Sequence, residues 1–281
     1  MEQFTKITGI SEFLSTGREL GKSVGFVPTM GALHEGHLSL IRICRLQNDY
    51  TLASIFVNPT QFNDQSDLKK YPRMPERDLA MLQDGGCDLV FMPGEKEIYP
   101  EPDTRQFDFG TLDKCMEGQF RPGHFNGVAQ VVTRLFDIVL PHRAYFGLKD
   151  FQQLAIIKRV VKVLHYPVEI VPCPIVREND GLAMSSRNML LSPEERKTAL
   201  NLSRSLFKAK KLKETHTPRA VREIITDQLH AIPGIRLEYF EIVTGSDLLP
   251  AGSWIAKDEI IGCLAARVGN VRLIDNINFS S

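Results

Sequence analysis

Net charge is missing from this chain: 34 Lys and Arg offset 34 Asp and Glu across 281 residues. That balance gives no electrostatic basis for binding nucleic acid or an anionic membrane surface. Long apolar runs are also missing, so no segment reaches membrane-spanning length. Residues 1 to 25 lack the basic start and apolar core of a secretory signal. The five cysteines, Cys44, Cys87, Cys115, Cys173 and Cys263, are scattered and contain no C-x-x-C. They read as free thiols of a reducing compartment, which excludes a disulfide scaffold and predicts a cytoplasmic protein. There is no internal repeat, no low-complexity segment and no G-x-x-x-x-G-K-[ST] phosphate loop.

What is present is a soluble-protein composition, 43% hydrophobic, with length for one large or two modest domains. The organising stretch runs from Phe26 to His37. Apolar residues lead to Pro28, a small-residue turn follows, and helical spacing begins with Leu38, Ile41 and Cys44. This strand, turn and helix N-terminus is a geometry that aims backbone N–H groups at an anion. His34 and His37 flank Gly36 at that turn, where imidazoles can donate to phosphate oxygens.

Further strands are expected at 51–57, 88–92, 143–146 and 168–176, and helices at 11–21, 75–83, 127–140 and from Lys149 to Leu164. Alternation of this kind predicts an α/β fold with a doubly wound, Rossmann-like parallel sheet. Its strand ends would gather the turn at 29–37, the Asn58/Gln61 loop, the turn at 147–150 and the segment after Val176 on one rim. After residue 176 the pattern changes. Ser192-Pro193-Glu194-Glu195 is a capping box with proline at the first helical position, and Thr217-Pro218 opens a second helix. Strands at 237–243 and 260–274, the latter broken by Gly269-Asn270, complete a smaller α+β domain. The expected boundary separates residues 1–176 from 177–281.

The residues by themselves leave alternatives open. His34 and His37 could be a metal pair or satisfied core residues. Ser185, Ser186 and Arg187 suit the gripping of a polyphosphate, or belong to a solvated interdomain hinge. Lys149-Asp150 could set a cation on phosphate and a carboxylate near Mg²⁺, or cap a helix. Gln61 and Gln153 are neutral groups able to hold a hydroxylated acid, or simply face solvent. Arg121-Pro122-Gly123-His124-Phe125 reads as a lid or a loop. Asp78 is expected to cap its own helix, with help to a magnesium ion as the alternative.

Together the motifs resemble the pantothenate synthetase (pantoate–β-alanine ligase) family, within the H-x-G-H nucleotidylyltransferase superfamily. The resemblance runs almost end to end: P-T-M-G-A-L-H-E-G-H at 28–37, V-N-P-T-Q-F at 57–62, R-P-G-H-F-N-G-V at 121–128, Y-F-G-L-K-D-F-Q-Q-L at 145–154, D-G-L-A-M-S-S-R-N at 180–188 and A-A-R-V-G-N-V-R-L-I-D-N at 265–276. Leu190 sits where the family often has tyrosine, and Val271 where threonine is common. The resemblance implies ATP-dependent joining of (R)-pantoate to β-alanine through pantoyl adenylate, with Mg²⁺ and a homodimer formed through the larger domain. It implies ATP contacts along Met30, Gly31, Ala32, Leu33, His34, Glu35, Gly36 and His37, along Gly147, Leu148, Lys149 and Asp150, at Val176, and along Met184, Ser185, Ser186 and Arg187. His37 would be the proton donor, supported by His34, Lys149, Ser185, Ser186 and Arg187. Asp150 would lie near Mg²⁺, Gln61 and Gln153 would hold pantoate, and Gln61 would also border β-alanine. The 1–176 domain would bind nucleotide and pantoate, and the 177–281 domain would close over the adenylate. The rivals are a plain nucleotidylyltransferase, a nucleotide-binding sensor and an H-x-x-H metallohydrolase.

Overall fold

A computed structural model describes residues 1–63, 65–255 and 258–280. Six strands form one all-parallel sheet: β1 (Glu2–Phe4), β2 (Val24–Thr29), β3 (Tyr50–Ile55), β4 (Leu89–Phe91), β5 (Arg143–Gly147) and β6 (Glu169–Cys173), in the order β1-β4-β3-β2-β5-β6. Chain order runs outward in opposite directions from β2 and β5, so the topological switch point lies between them, at the mouth of the Thr29–His37 turn.

Alternation along β2 feeds both faces. Phe26 meets Phe136 of the helix His124–Val139 edge to face, at 6.5 Å between ring centroids. Val27 packs with Leu40, Ile41 and Cys44 of the helix Glu35–Gln47. The sequence reading missed β1, whose three residues are too few for a periodic signal. The first helix starts at Ile7, a turn earlier than expected, because Glu97, 90 residues away, accepts the Ile7 N–H at 2.9 Å. No local cap signals that start.

The second sheet is antiparallel: β7 (Ile235–Thr244), β8 (Ile260–Val268) and β9 (Val271–Asn278) in that order. Its Val268–Val271 hairpin turns at Gly269-Asn270, with Gly269 at φ +56. The helices Pro193–Leu212 and Pro218–His230 cover it, burying Leu202, Leu206, Val221 and Ile225 against Phe240 and Leu264. The Ser192/Glu195 capping box forms in both directions.

The compact units do not follow one cut at residue 176. The first unit holds 1–109, 121–148 and 156–174, and the second holds 110–120, 149–155 and 175–281. Side chains explain the two transferred segments. Gln152 donates to the Leu112 and Cys115 carbonyls at 2.7 and 2.9 Å and accepts the Glu117 N–H at 2.9 Å. Glu117 pairs with Arg272 of β9 at 2.6 Å, and Arg272 also holds Glu238 of β7 at 2.8 Å.

Candidate active site

In the first unit, the chain leaves β2 at Thr29 and must reverse before the helix at Glu35. It does so through positive φ at Gly31 (+79) and Ala32 (+49), and a Cβ on Gly31 would lie 2.9 Å from Asp78. The Ala32 and Leu33 N–H groups donate to the two Asp78 carboxylate oxygens at 2.8 and 2.7 Å. Asp78 is 1% exposed and makes no cap for its own helix, Pro75–Asp84. The expected local cap is thus replaced by a brace on a turn 45 residues upstream, whose buried N–H groups need acceptors.

The two histidines form the cap of the next helix. His34 Nδ1 accepts the Gly36 N–H at 3.1 Å, and His37 Nδ1 accepts the His34 N–H at 3.3 Å. A backbone N–H can only donate, so this network assigns both rings an unprotonated Nδ1 and, when neutral, a proton on Nε2. The rings lie 4.1 Å apart between centroids. Their Nε2–H edges therefore join the first-turn N–H groups as donors at a helix N-terminus. No group of three or more His, Cys, Asp and Glu side chains gathers among the described residues, so the metal-pair reading has no third ligand. Glu35 is turned to Arg42 of its own helix, whose hydrogen bond holds the Glu35 carboxyl below its ordinary value.

Gln61 closes this cluster. Its Nε2 reaches Met30 Sδ at 3.1 Å, and its Oε1 accepts from Asn58 Nδ2 at 3.1 Å. Asn58, 1% exposed, also accepts from the Tyr99 hydroxyl at 2.9 Å and donates to the Gly127 carbonyl at 3.1 Å. The Gln61 carbonyl accepts from His124 Nδ1 at 2.8 Å, while Arg121 Nη1 meets His124 Nε2 at 3.1 Å. Arg121–Gly123 form a turn, half-buried at Arg121 and exposed at Pro122 and Gly123, that leads into the helix His124–Val139, whose first residues His124 and Phe125 are buried. Gly127 permits that docking, since a Cβ there would sit 2.4 Å from the Thr60 carbonyl oxygen. Asn58 was visible in the sequence as a strand-end residue. Tyr99 lay in a proline-rich stretch with no periodic signal.

In the second unit, Lys149 and Asp150 lie in the 3-10 turn Leu148–Asp150, whose first residue and Gly147 belong to the first unit, and Gln153 is half-buried one turn into Phe151–Val163. The polar stretch after Val176 is a closed hairpin. Arg177 and Ala183 bridge, and the Met184 N–H donates to the Val176 carbonyl at 3.0 Å. Glu178 takes Asn188 at 2.7 Å and Arg196 at 2.7 Å, and Ser185 caps the 3-10 helix Ser186–Leu190 by accepting the Arg187 N–H. Val176, Met184, Ser185, Ser186 and Arg187 are thereby one local assembly, while Met30, His34, His37 and Gln61 are another. Burial pushes the thiols of Cys44 and Cys87 up to about 12 and that of Cys173 to about 11, which makes them poor nucleophiles.

The chain is similar to known proteins along almost its whole length. A family model described as pantoate-beta-alanine ligase matches residues 2–278. A pantothenate synthetase of Porphyromonas gingivalis is 52% identical over 279 residues, 99% of each chain. One from Aquifex aeolicus is 50% identical over 276 residues, 97% of each chain. The crystal structure of pantothenate synthetase from Thermus thermophilus superposes with a TM-score of 0.93 at 45% identity, covering 99% of each chain. The pantoate-beta-alanine ligase of Francisella tularensis, complexed with beta-gamma ATP and beta-alanine, gives a TM-score of 0.80 at 33% identity, over 100% of this chain and 98% of that one.

Proposed function

The chain belongs to the pantoate–β-alanine ligase family, and from that premise we propose how its residues divide the work of making pantothenate from (R)-pantoate, β-alanine and ATP. The enzyme is an ATP-dependent ligase. In the first half-reaction a pantoate carboxylate oxygen bonds to the α-phosphorus of ATP and the bond to the bridging oxygen breaks, releasing pyrophosphate. In the second, the β-alanine amine attacks the acyl carbon, loses a proton, and AMP leaves with the former carboxylate oxygen.

The observation that carries this reading is the imidazole cap. With both Nδ1 atoms occupied by backbone N–H groups, the Nε2–H edges of His34 and His37 are donors for charge that builds on the α-phosphate. His37 is assigned the proton-donor role toward the leaving group, as the Nε2–H hydrogen bond to the oxygen on which charge builds. Met30–His37, Gly147–Asp150, Val176 and Met184–Arg187 are assigned to ATP, with Lys149, Ser185, Ser186 and Arg187 on its phosphates. Gln61 and Gln153 are assigned to pantoate, and Gln61 also to β-alanine. The Asn58 bond to Gln61 Oε1 fixes that amide with its Nε2 on Met30 Sδ, and the second N–H of the same Nε2 is the donor assigned to the substrate hydroxyls.

Asp150 is the carboxylate assigned to Mg²⁺. An all-protein cage is not required, because this ion binds through one or two carboxylates and the phosphates of its nucleotide. Bound there, it would neutralise charge on the departing pyrophosphate. A cytoplasmic homodimer belongs to the same proposal. Free thiols at all five cysteines suit a reducing compartment, and exposed Leu46, Leu140 and Leu164 of the larger unit offer apolar surface to bury.

The test is exchange of labelled pyrophosphate into ATP with pantoate and Mg²⁺ present and β-alanine left out. Pantoate-dependent exchange is expected, with AMP appearing only after β-alanine is added. Exchange with no response to the amine would favour a plain nucleotidylyltransferase. ATP binding without exchange would favour a sensor.

A further inference from the structure

Lys149 is gripped by its backbone. Asn276, 5% exposed near the end of β9, donates from Nδ2 to the Lys149 carbonyl at 2.9 Å. The Asn276 carbonyl in turn accepts from Arg177 Nη2 at 3.1 Å. Arg177 forks onto Asp275, with Nη1 to Oδ2 at 2.6 Å and Nη2 to Oδ1 at 3.0 Å. It also donates to the Gly181 carbonyl at 3.2 Å and lies 5.2 Å over the Phe207 ring. Asp275 Oδ1 completes the circuit by accepting the Asn276 N–H at 2.8 Å. Two adjacent residues of β9 thus hold the turn that carries Lys149 and the hairpin that delivers Met184–Arg187.

Stability alone is a weak reason for this arrangement. Burying a carboxylate and a guanidinium is costly, and apolar side chains of similar volume are often as stable. The planar fork instead fixes direction: Arg177 has donors on Asp275, on Gly181 across its own hairpin and on the backbone of the residue that grips Lys149. A shift of either phosphate-contacting segment would break bonds that the other depends on.

We propose that Asp275 and Asn276 are positioning residues that lock the Lys149 turn and the Met184–Arg187 segment into one register, so that the two grip ATP as a unit. The proposal rests on the assignment of Lys149 to the phosphates of ATP made above. It adds a dependence of nucleotide affinity on two residues that need not touch the nucleotide.

A double-mutant cycle on the full-length protein tests it, with affinity for α,β-methylene-ATP and Mg²⁺ read by calorimetry. Asn276→Ala is expected to weaken binding about five- to tenfold, the scale of one lost hydrogen bond. In a Lys149→Ala background the same change is expected to alter binding less than about twofold, because the side chain it positions is gone. Arg177→Lys, which keeps the charge and loses the fork, should weaken binding by a similar factor in the wild-type background. A merely structural role would lower the thermal midpoint and give equal losses in both backgrounds; that additive result overturns the proposal and leaves the ATP assignment standing. Undiminished affinity in Lys149→Ala itself would overturn both. If Asn276→Ala does not fold, Asn276→Leu preserves the shape without the donor and runs through the same cycle.

Discussion

Replacing Asp78 by asparagine removes one charge and exchanges one acceptor for a donor. The wild-type carboxylate takes Ala32 N–H and Leu33 N–H at 2.8 and 2.7 Å in a site that is 1% exposed. Asparagine can accept only one of them and presents its NH₂ to the other. A hydrogen bond to a charged group contributes about 1.5–3 kcal/mol, and a stranded buried donor costs about 1–3 kcal/mol. Because these overlap, the net loss of stability is expected to be about 2–4 kcal/mol. Left-handed Ala32 would then relax, turning the His34/His37 cap away from its direction. Urea unfolding should be followed by far-ultraviolet circular dichroism, because the only tryptophan, Trp254, lies in the second unit. Pyrophosphate exchange per folded molecule is expected to fall at least tenfold. Leu14→Ala is the control: it empties a fully buried position of the same unit, on the helix Ile7–Glu19, at about 2–5 kcal/mol, outside the core cluster that holds Leu33 of the turn. Its exchange rate per folded molecule should stay near wild type. An Asp78→Asn variant with a stability change below about 0.5 kcal/mol, the scale of an ordinary surface substitution, and undiminished exchange would refute the brace.

Other outcomes are open to measurement. His37→Ala should slow adenylate formation by about a hundredfold or more, the scale of one lost transition-state donor; unchanged turnover would remove its assigned role. Gln153→Ala should raise the KM for pantoate and leave ATP affinity in place, and the opposite split would move that residue to the nucleotide. Gly127→Ala drives a Cβ into the Thr60–Gln61 backbone, so it should destabilise by about 1–3 kcal/mol and raise the KM for pantoate through Gln61. Asp103 is buried beside Arg105 and Arg134, and the Arg105 hydrogen bonds hold its carboxyl well below the ordinary range. Its contribution is therefore fully present above the unfolded value, about pH 4, and is lost as pH falls toward the depressed folded value. The stability gap between wild type and Asp103→Asn should be flat from pH 7 to 5 and narrow below 4; a gap that widens with acid would contradict this.

The sequence by itself determined what short spacing can encode. Apolar runs and helical periods drew the doubly wound sheet, since burial on both faces of β2 and one face of each helix leaves a pattern within ten or so residues. Ser192 with Glu195, Pro193, and the Gly269-Asn270 turn were legible because each satisfies backbone groups three or fewer residues away. The His34/His37 turn was legible for the same reason: its cap is local. Tertiary structure decided the rest, wherever a group's partner is distant in the chain. The start of the first helix depends on Glu97, and the brace on the Ala32 turn depends on Asp78. The passage of 110–120 and 149–155 into the second unit depends on Gln152, Arg272 and Asn276, whose partners are 35 to 155 residues away. A glutamine, an arginine or an asparagine carries no mark of which distant carbonyl or carboxylate it will meet. Only the folded chain brings the buried backbone group and its acceptor together, and their desolvation then makes the pairing obligatory.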